Sequence, residues 1–417
     1  MILIITVGLI LFAILAVLKP EQAFYLIIIL LPSYQLRFQI LNTPFTFLEG
    51  MILILALISS WRGAWTTQQA GNNKLTLIFI MTFFIAGLVS IFISPVPIKA
   101  AGIFKAYFFE AILFYFLTIN LITTRQKLNR VFASLAILTL YVSGFGIYQF
   151  FTLANLPFSW WGVEIASRRI VSILNHPNAV ALLLGPILAM LTITHHKSKL
   201  SWAALVLGLA AFYLTLSRAG WLALIVTITG FYILSSLSGP GEWLKERSRS
   251  LVKAITVIVI IVIVMIALPF SRNQLFRLAQ NDPSKQNRFV LWSAAIDMVK
   301  HHPIAGVGLM GFHEYYKNYP LGPDRVVQNY PHNFFLTFSL ETGLLGLLSM
   351  LGLLIIFYKK IYGALKKGTE RSLALAAGAG MTMIVLHSLV DVSYFKNDLS
   401  VLFWLVYALP NLYIKYN

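Results

Sequence analysis

The 417-residue chain contains no cysteine. That excludes disulfides, thiolate nucleophiles and Cys-based metal sites, and it removes any sign of redox compartment. Charge is also scarce, with 11% of residues being Asp, Glu, Lys or Arg. Acidic residues are the rarest charged class, 14 against 32 Lys and Arg, for a formal net charge of +18. What fills the chain is apolar: 59% of residues are hydrophobic and the mean hydropathy is +0.80. Repeated apolar runs of membrane-spanning length leave no soluble reading. In a soluble protein such a basic excess would point to nucleic acid. Here most of it sits in short loops between apolar runs, where it orients helices and meets anionic headgroups. The expected partner is therefore the lipid bilayer, and nucleic acid is not expected.

The apolar runs cover 2–18, 22–36, 45–60, 75–94, 103–122, 131–153, 177–194, 200–216, 219–236, 252–270, 333–357, 372–391 and 399–413. The run at 22–36 is interrupted by Pro32 and reads as a half-helix or an extension of the first run past Lys19-Pro20. The first run has neither a basic leader nor a small-residue cleavage site, so it is read as a retained helix. The expectation is an all-α polytopic membrane protein of about 12 transmembrane helices, forming a single integral membrane domain over 1–417. Alternate loops carry Arg62 and Lys74; Arg125, Lys127 and Arg130; Lys197 and Lys199; Lys245, Arg247, Arg249 and Lys253; and Lys359 to Arg371. The positive-inside rule puts these in the cytoplasm and puts one large loop, 271–332, outside.

That loop holds Arg272, Arg277, Lys285, Arg288, Lys300, His301, His302, His313, Lys317, Arg325 and His332. A long polar loop between membrane helices is uncommon unless it is functional. Phe289, Trp292, Ile296 and Val299 fall at helical spacing, which predicts an amphipathic helix over 284–301. His302-Pro303 stops it, and a Gly-rich turn follows. ATP and nucleotide sugars are absent outside the cytoplasm, so a substrate there must bring its own activation.

Three residues carry the chemistry. Arg218 lies in Ser217-Arg218-Ala219-Gly220, between two apolar runs with almost no loop, where an unpaired cation is costly. Arg is the side chain best suited to bidentate phosphate binding, although snorkelling to headgroups explains the position equally well. Arg288 is expected to open the amphipathic helix, where a cation and a helix start together favour a phosphate. His332 stands in Pro331-His332-Asn333 at the mouth of a membrane helix. Pro331 stiffens the approach, Asn333 is suited to cap the helix, and a neutral His accepts a proton from an attacking hydroxyl.

Other signals fail on context. Gly306 to Gly311 spells GxGxxG, but no strand or βαβ unit surrounds it. His313-Glu314 begins like HExxH, but Lys317 stands at the second ligand position. His195-His196 and His301-His302 have no matching ligand cluster, and no metal or other cofactor is expected. His387 and Asp391 are spaced to share a helix face, and with Glu49 and Glu110 they raise a proton-relay alternative. Gly343 with Gly346, and Gly378 with Gly380, read as close helix-packing positions.

Taken in order, Ser217 to Gly220, Arg288 with Trp292, His302-Pro303-Ile304-Ala305-Gly306-Val307-Gly308, Pro331-His332-Asn333 and Glu341-Thr342-Gly343 resemble the O-antigen ligase and polymerase superfamily of bacterial envelope proteins. Arg169 to Asn178 resembles the segment of that family leading into an earlier helix. The resemblance implies a multi-pass enzyme of the bacterial cytoplasmic (inner) membrane, with its active loop facing the periplasm or cell exterior. It implies transfer of a glycan from undecaprenyl diphosphate to lipid A core, a lipid-linked glycan or another envelope acceptor. By motif match Arg218 and Arg288 hold the diphosphate, His332 activates the acceptor, and Arg169, Asn178 and Asn333 are further candidates. Two guanidinium groups neutralise a diphosphate without a divalent ion, and a base opposite the leaving group gives inversion. A transporter or flippase of a lipid-linked glycan is the main alternative, and a scaffold that binds without reacting is the third reading.

Overall fold

In a bilayer every backbone N–H and C=O must be satisfied within the segment, so long apolar runs form helices. The computed structural model describes residues 2–40, 43–63, 74–162, 165–194, 198–237, 283–323 and 325–412. The expected helix at 252–270, the basic residues Lys197, Lys245, Arg247, Arg249 and Lys253, the loop residues Arg272 and Arg277, and the pair His195-His196 lie outside the described residues. Among the described residues five helices are long and apolar enough to cross a membrane: Lys74–Ile93, Pro97–Leu121, Arg125–Thr152, Pro177–Thr194 and Phe334–Lys367. Shorter apolar helices cover Leu3–Leu18, Pro20–Ile29, Phe47–Trp61, Lys199–Leu214 and Arg218–Leu234. The protein is a mostly helical membrane protein. The run at 22–36 resolves into the separate short helix Pro20–Ile29 and a 3-10 turn over Leu31–Gln35. Arg125, Lys127 and Arg130 lie within the first turns of a helix, and Lys127 pairs with Glu21 at 2.8 Å.

The contacts divide the chain into two compact units, residues 1–138 with 286–358 and 388–417, and residues 139–285 with 359–387. In the first unit, the helix Asn397–Ala408 is buried along its length and packs on Glu110–Leu121. Trp404 of that helix joins Phe83, Phe108, Phe338 and Tyr394 in an aromatic cluster. Lys74–Ile93 has only 33% of its apolar window buried, and Ile78, Met81, Ile85 and Phe92 face outward as a lipid-facing surface requires. A hairpin pairs Arg37–Ile40 with Thr43–Thr46, and Thr46 and Glu49 form a capping box at the head of the next helix. Glu49 also pairs with Lys105 at 3.1 Å, so one of the relay candidates is a structural ion-pair partner.

In the second unit, Pro177–Thr194 is the central helix, with 83% of its window buried. Lys199–Leu214 and Arg218–Leu237 pack against it. Gly378 meets Phe231, as its reading as a packing position expects.

The amphipathic helix is present, as Pro283–His301. Its buried face overlaps the expected one in part. Leu291, Ala294, Ala295 and Met298 enter a core with Val307, Phe312, Tyr316 and Leu340, whereas Phe289 and Ile296 are exposed. Two apolar stripes share helical spacing here. Trp292 and Val299 of the expected stripe pack, partly buried, against this core.

The helix Phe334–Lys367 is broken at Gly343, whose φ of 66° and ψ of −173° are non-helical. The bond Leu344 N–H would make to the Leu340 carbonyl is replaced by two bonds to the loop. Val307 N–H donates to Leu340 O at 2.7 Å, and Leu344 N–H donates to Ile304 O at 2.8 Å. Buried Glu341 accepts from Met310 N–H at 2.5 Å and Phe312 N–H at 3.3 Å. This corrects the reading of Gly343 as a helix-packing position: it marks the place where loop backbone is inserted into the helical ladder. A Cβ on Gly343 would meet Ile304 O at 2.5 Å, and one on Gly306 would collide with Leu340 O. The GxGxxG pattern is thus a packing pattern.

Candidate functional site

His332 sits just before the Phe334 helix, with φ of 53° in the left-handed region. Asn333 caps that helix, its Oδ1 accepting from Leu336 N–H at 3.1 Å. Its amide nitrogen donates to Leu389 O at 2.9 Å. His332 Nδ1 lies 3.0 Å from Oδ1 of Asp391, a residue 5% exposed. The same Asp391 oxygen accepts from Val392 N–H at 2.9 Å. Arg288 donates from Nε to Val390 O at 2.8 Å. Three predicted residues, from two distant stretches of sequence, therefore meet the single segment 389–391.

That segment corrects two expectations. The helix Arg371–Ser388 ends before Asp391, so His387 and Asp391 do not share a helix face. The Asp391 carboxylate serves His332, and the His387 ring lies 3.5 Å from Ser217 Oγ. Nor does Arg288 open its helix. The helix starts at Pro283, so Arg288 lies in its second turn, and the argument from a cation at a helix start does not apply to it.

The argument applies instead to Arg218, in the second unit. The chain turns between Lys199–Leu214 and Arg218–Leu237 in three residues, with Leu216 at φ of 51° and Ser217 N–H donating to Thr215 Oγ1 at 3.2 Å. Arg218 is then the first residue of its helix. There the macrodipole disfavours a cation and attracts an anion.

Arg169 and Asn178 are also in the second unit, and they meet each other. Arg169 donates from Nη2 to Asn178 Oδ1 at 2.8 Å and from Nε to Thr215 O at 2.8 Å. Its guanidinium lies over the Trp160 ring, 5.2 Å from the centroid. Ile170 N–H donates to Leu214 O at 3.2 Å, so residues 169–170 run alongside the turn that precedes Arg218.

Four other polar side chains of the loop bond within it. His313 Nδ1 faces Gln328 O at 3.3 Å, Lys317 pairs with Glu314, and His301 Nδ1 lies 2.9 Å from Asp297 O. Tyr319 donates to Asp297 at 2.6 Å, and this bond and its charge push the phenol up to about 12. Among the described residues no group of three or more His, Asp or Glu is placed to hold a metal ion.

Sequence reasoning missed Asp391 as the partner of His332. The available signal was a carboxylate in an apolar run followed by Val392-Ser393, which is poor helix sequence. The backbone carbonyls of Leu389 and Val390 carry no sequence signal at all.

Residues 203–351 match the family model described as O-Antigen ligase. The matched stretch contains Arg218, Arg288, His332, Asn333 and the break at Gly343, and it leaves out Arg169, Asn178 and Asp391. No curated protein matches the chain.

Proposed function

We propose that this chain, whose residues 203–351 match the O-antigen ligase family model, transfers a glycan from undecaprenyl diphosphate to an envelope acceptor. The coarse activity, glycan transfer by a helical membrane ligase or polymerase, follows from the family. Donor, residues and mechanism are our reading. The observation that carries it is the contact of 3.0 Å between His332 Nδ1 and buried Asp391. A carboxylate there keeps the proton on Nδ1, so Nε2 is the basic nitrogen. Nε2 takes the proton from an acceptor hydroxyl as that oxygen attacks the anomeric carbon. The bond from that carbon to the diphosphate oxygen breaks, and undecaprenyl diphosphate leaves with the electron pair. Attack opposite the leaving group inverts the anomeric centre.

Arg288 is a ligand of the diphosphate in this reading, neutralising the leaving group as its charge grows, and the sequence motif offers Arg218 as a candidate for the same role. Anchoring of Arg288 Nε on Val390 O supports the assignment, because it fixes the guanidinium plane. The enzyme would need no metal. It sits in the bacterial inner membrane, with the 271–332 loop on the periplasmic or outer side, where the donor alone supplies the driving force.

The test is transfer by purified protein in nanodiscs, with a polyprenyl-diphosphate-linked oligosaccharide, a panel of acceptors and EDTA. Transfer that survives EDTA and disappears in His332→Ala is the expected result, and the productive acceptor separates ligase from polymerase. Donor binding without turnover, unaffected by His332→Ala, would favour the flippase or scaffold instead.

A further inference from the structure

From Gln286 onward the amphipathic helix belongs to the first unit, and that unit contains a ruler for its depth. Lys74–Ile93 has 20 residues, a length of about 30 Å, which matches the hydrocarbon core of a bilayer. Its last turn therefore stands at the edge of that core. The loop after the amphipathic helix is tied to this turn. Leu309 N–H donates to Ser90 O at 3.3 Å, and Ser94 Oγ donates to Leu309 O at 2.6 Å. The same loop enters the membrane-crossing helix Phe334–Lys367, where Ile304 O accepts from Leu344 N–H at 2.8 Å. Ile304 is 75% exposed, and Leu344 and Leu345 beside it are exposed too. Two spans thus hold residues 304–309 at the edge of the apolar zone.

The amphipathic helix is held at the same level, because Leu291, Ala294, Ala295 and Met298 share a core with Val307 and Leu340. Its outward side carries an apolar stripe. Phe289 is 65% exposed and Ile296 is 46% exposed. Half-buried Trp292 lies between them at helical spacing, its ring centroid 5.9 Å from that of Phe289. Exposed Lys300 follows one turn beyond Ile296, and exposed Ser293 and half-buried Asp297 border the stripe on its polar edge. One exposed apolar side chain on a surface needs no explanation. Phe289, Ile296 and Ile304 together, at the depth where two spans leave the bilayer, form a surface continuous with the lipid-facing one. The pattern suits a helix lying in the interface: apolar side chains enter the boundary between headgroups and acyl chains, and a long Lys carries its ammonium back to the phosphates.

We propose that Pro283–His301 is an interfacial helix whose Phe289–Ile296 stripe is inserted in the bilayer surface, with Lys300 among the headgroups. The proposal is independent of the glycan-transfer reading. Its consequence for that reading is that Arg288, one residue from Phe289, stands near the depth of lipid phosphates. The test uses full-length protein in nanodiscs, where the absence of native cysteine allows single nitroxide labels. Labels are attached through Phe289→Cys, Ile296→Cys and Ile304→Cys. Leu348→Cys, exposed on the membrane-crossing helix, is the lipid reference, and Lys317→Cys is the water reference. Ser293→Cys reports the polar edge. Power saturation compares collisions with oxygen, which concentrates in lipid, and with a nickel chelate that stays in water. The oxygen-to-nickel ratio at 289, 296 and 304 is expected to be several-fold higher than at 293 and 317 and to approach that at 348. A ratio at 289 and 296 no higher than at 317 would put the stripe in water. Protection of both positions from both reagents would mean that protein, such as a second copy of the chain, covers it. Either result overturns the interfacial helix.

Discussion

At the scale of single residues, His332 and Asp391 act as a pair with divided work. The carboxylate touches no substrate in the proposed reaction; it holds Nδ1–H and leaves Nε2 basic. Asp391→Asn keeps the shape but can donate to Nδ1, which reverses the tautomer. Transfer by this variant should fall by about 10²-fold or more with donor affinity unchanged, measured as kcat against donor KM. A loss confined to donor affinity would contradict the assignment. Tyr319 tests a second local bond. Its phenol ionises near 12 because it donates to Asp297. A raised pKa means that its contribution to stability is complete below the ordinary phenol pKa of about 10 and disappears as pH rises through about 12. The difference between ultraviolet titrations of wild type and Tyr319→Phe should show one phenol ionising near 12.

At the scale of elements, the broken helix and the inserted loop form one construction. Gly343 has backbone angles that only glycine adopts readily, and loop carbonyls fill the space a side chain would need. Gly343→Ala should cost about 3 kcal/mol, read as a lower melting temperature in detergent. Glu341→Gln replaces a double acceptor of backbone N–H groups by an amide that accepts at one oxygen only. It should cost about 1–3 kcal/mol by the same measurement. Unchanged melting in both variants would mean that the loop is not held by the break. Much of this level was legible in the sequence. Apolar length announced the helices, His302-Pro303 marked the end of the amphipathic helix, and the glycines at 306, 308 and 343 stood out. The break itself was not legible, because nothing in the run distinguishes Gly343 from Gly346 and Gly352, and the whole reads as continuous helix. The helix face was legible in part: Trp292 and Val299 of the expected stripe pack on the core while Phe289 and Ile296 stay exposed, because tertiary packing decides between neighbouring stripes of the same period.

At the scale of the whole molecule, the charge distribution carries the orientation proposed here. The chain has no cysteine, so single introduced thiols report their side of the membrane without background. Ser293→Cys, on the exposed face of the Pro283–His301 helix, should react in spheroplasts with a membrane-impermeant maleimide. Lys366→Cys, at the basic end of the Phe334–Lys367 helix, should react only after lysis. The reverse pattern would put the loop in the cytoplasm and remove the lipid-linked donor from the argument. Sequence position and motif supplied Arg218, Arg288 and His332 as candidates. The pairing of Arg169 with Asn178, and of His332 with Asp391, needed the fold, because each joins residues that no local period connects.

The stretch 389–391 behaves as a rail from which the first unit's candidate residues hang. Two of its three contacts are made through carbonyls, which every amino acid has. In a mutational scan, substitutions of Leu389 and Val390 would therefore pass almost unnoticed. Deleting either residue would shift Arg288, His332 and Asn333 off register together. Sequence variability along such a stretch is compatible with strict constraint on its length.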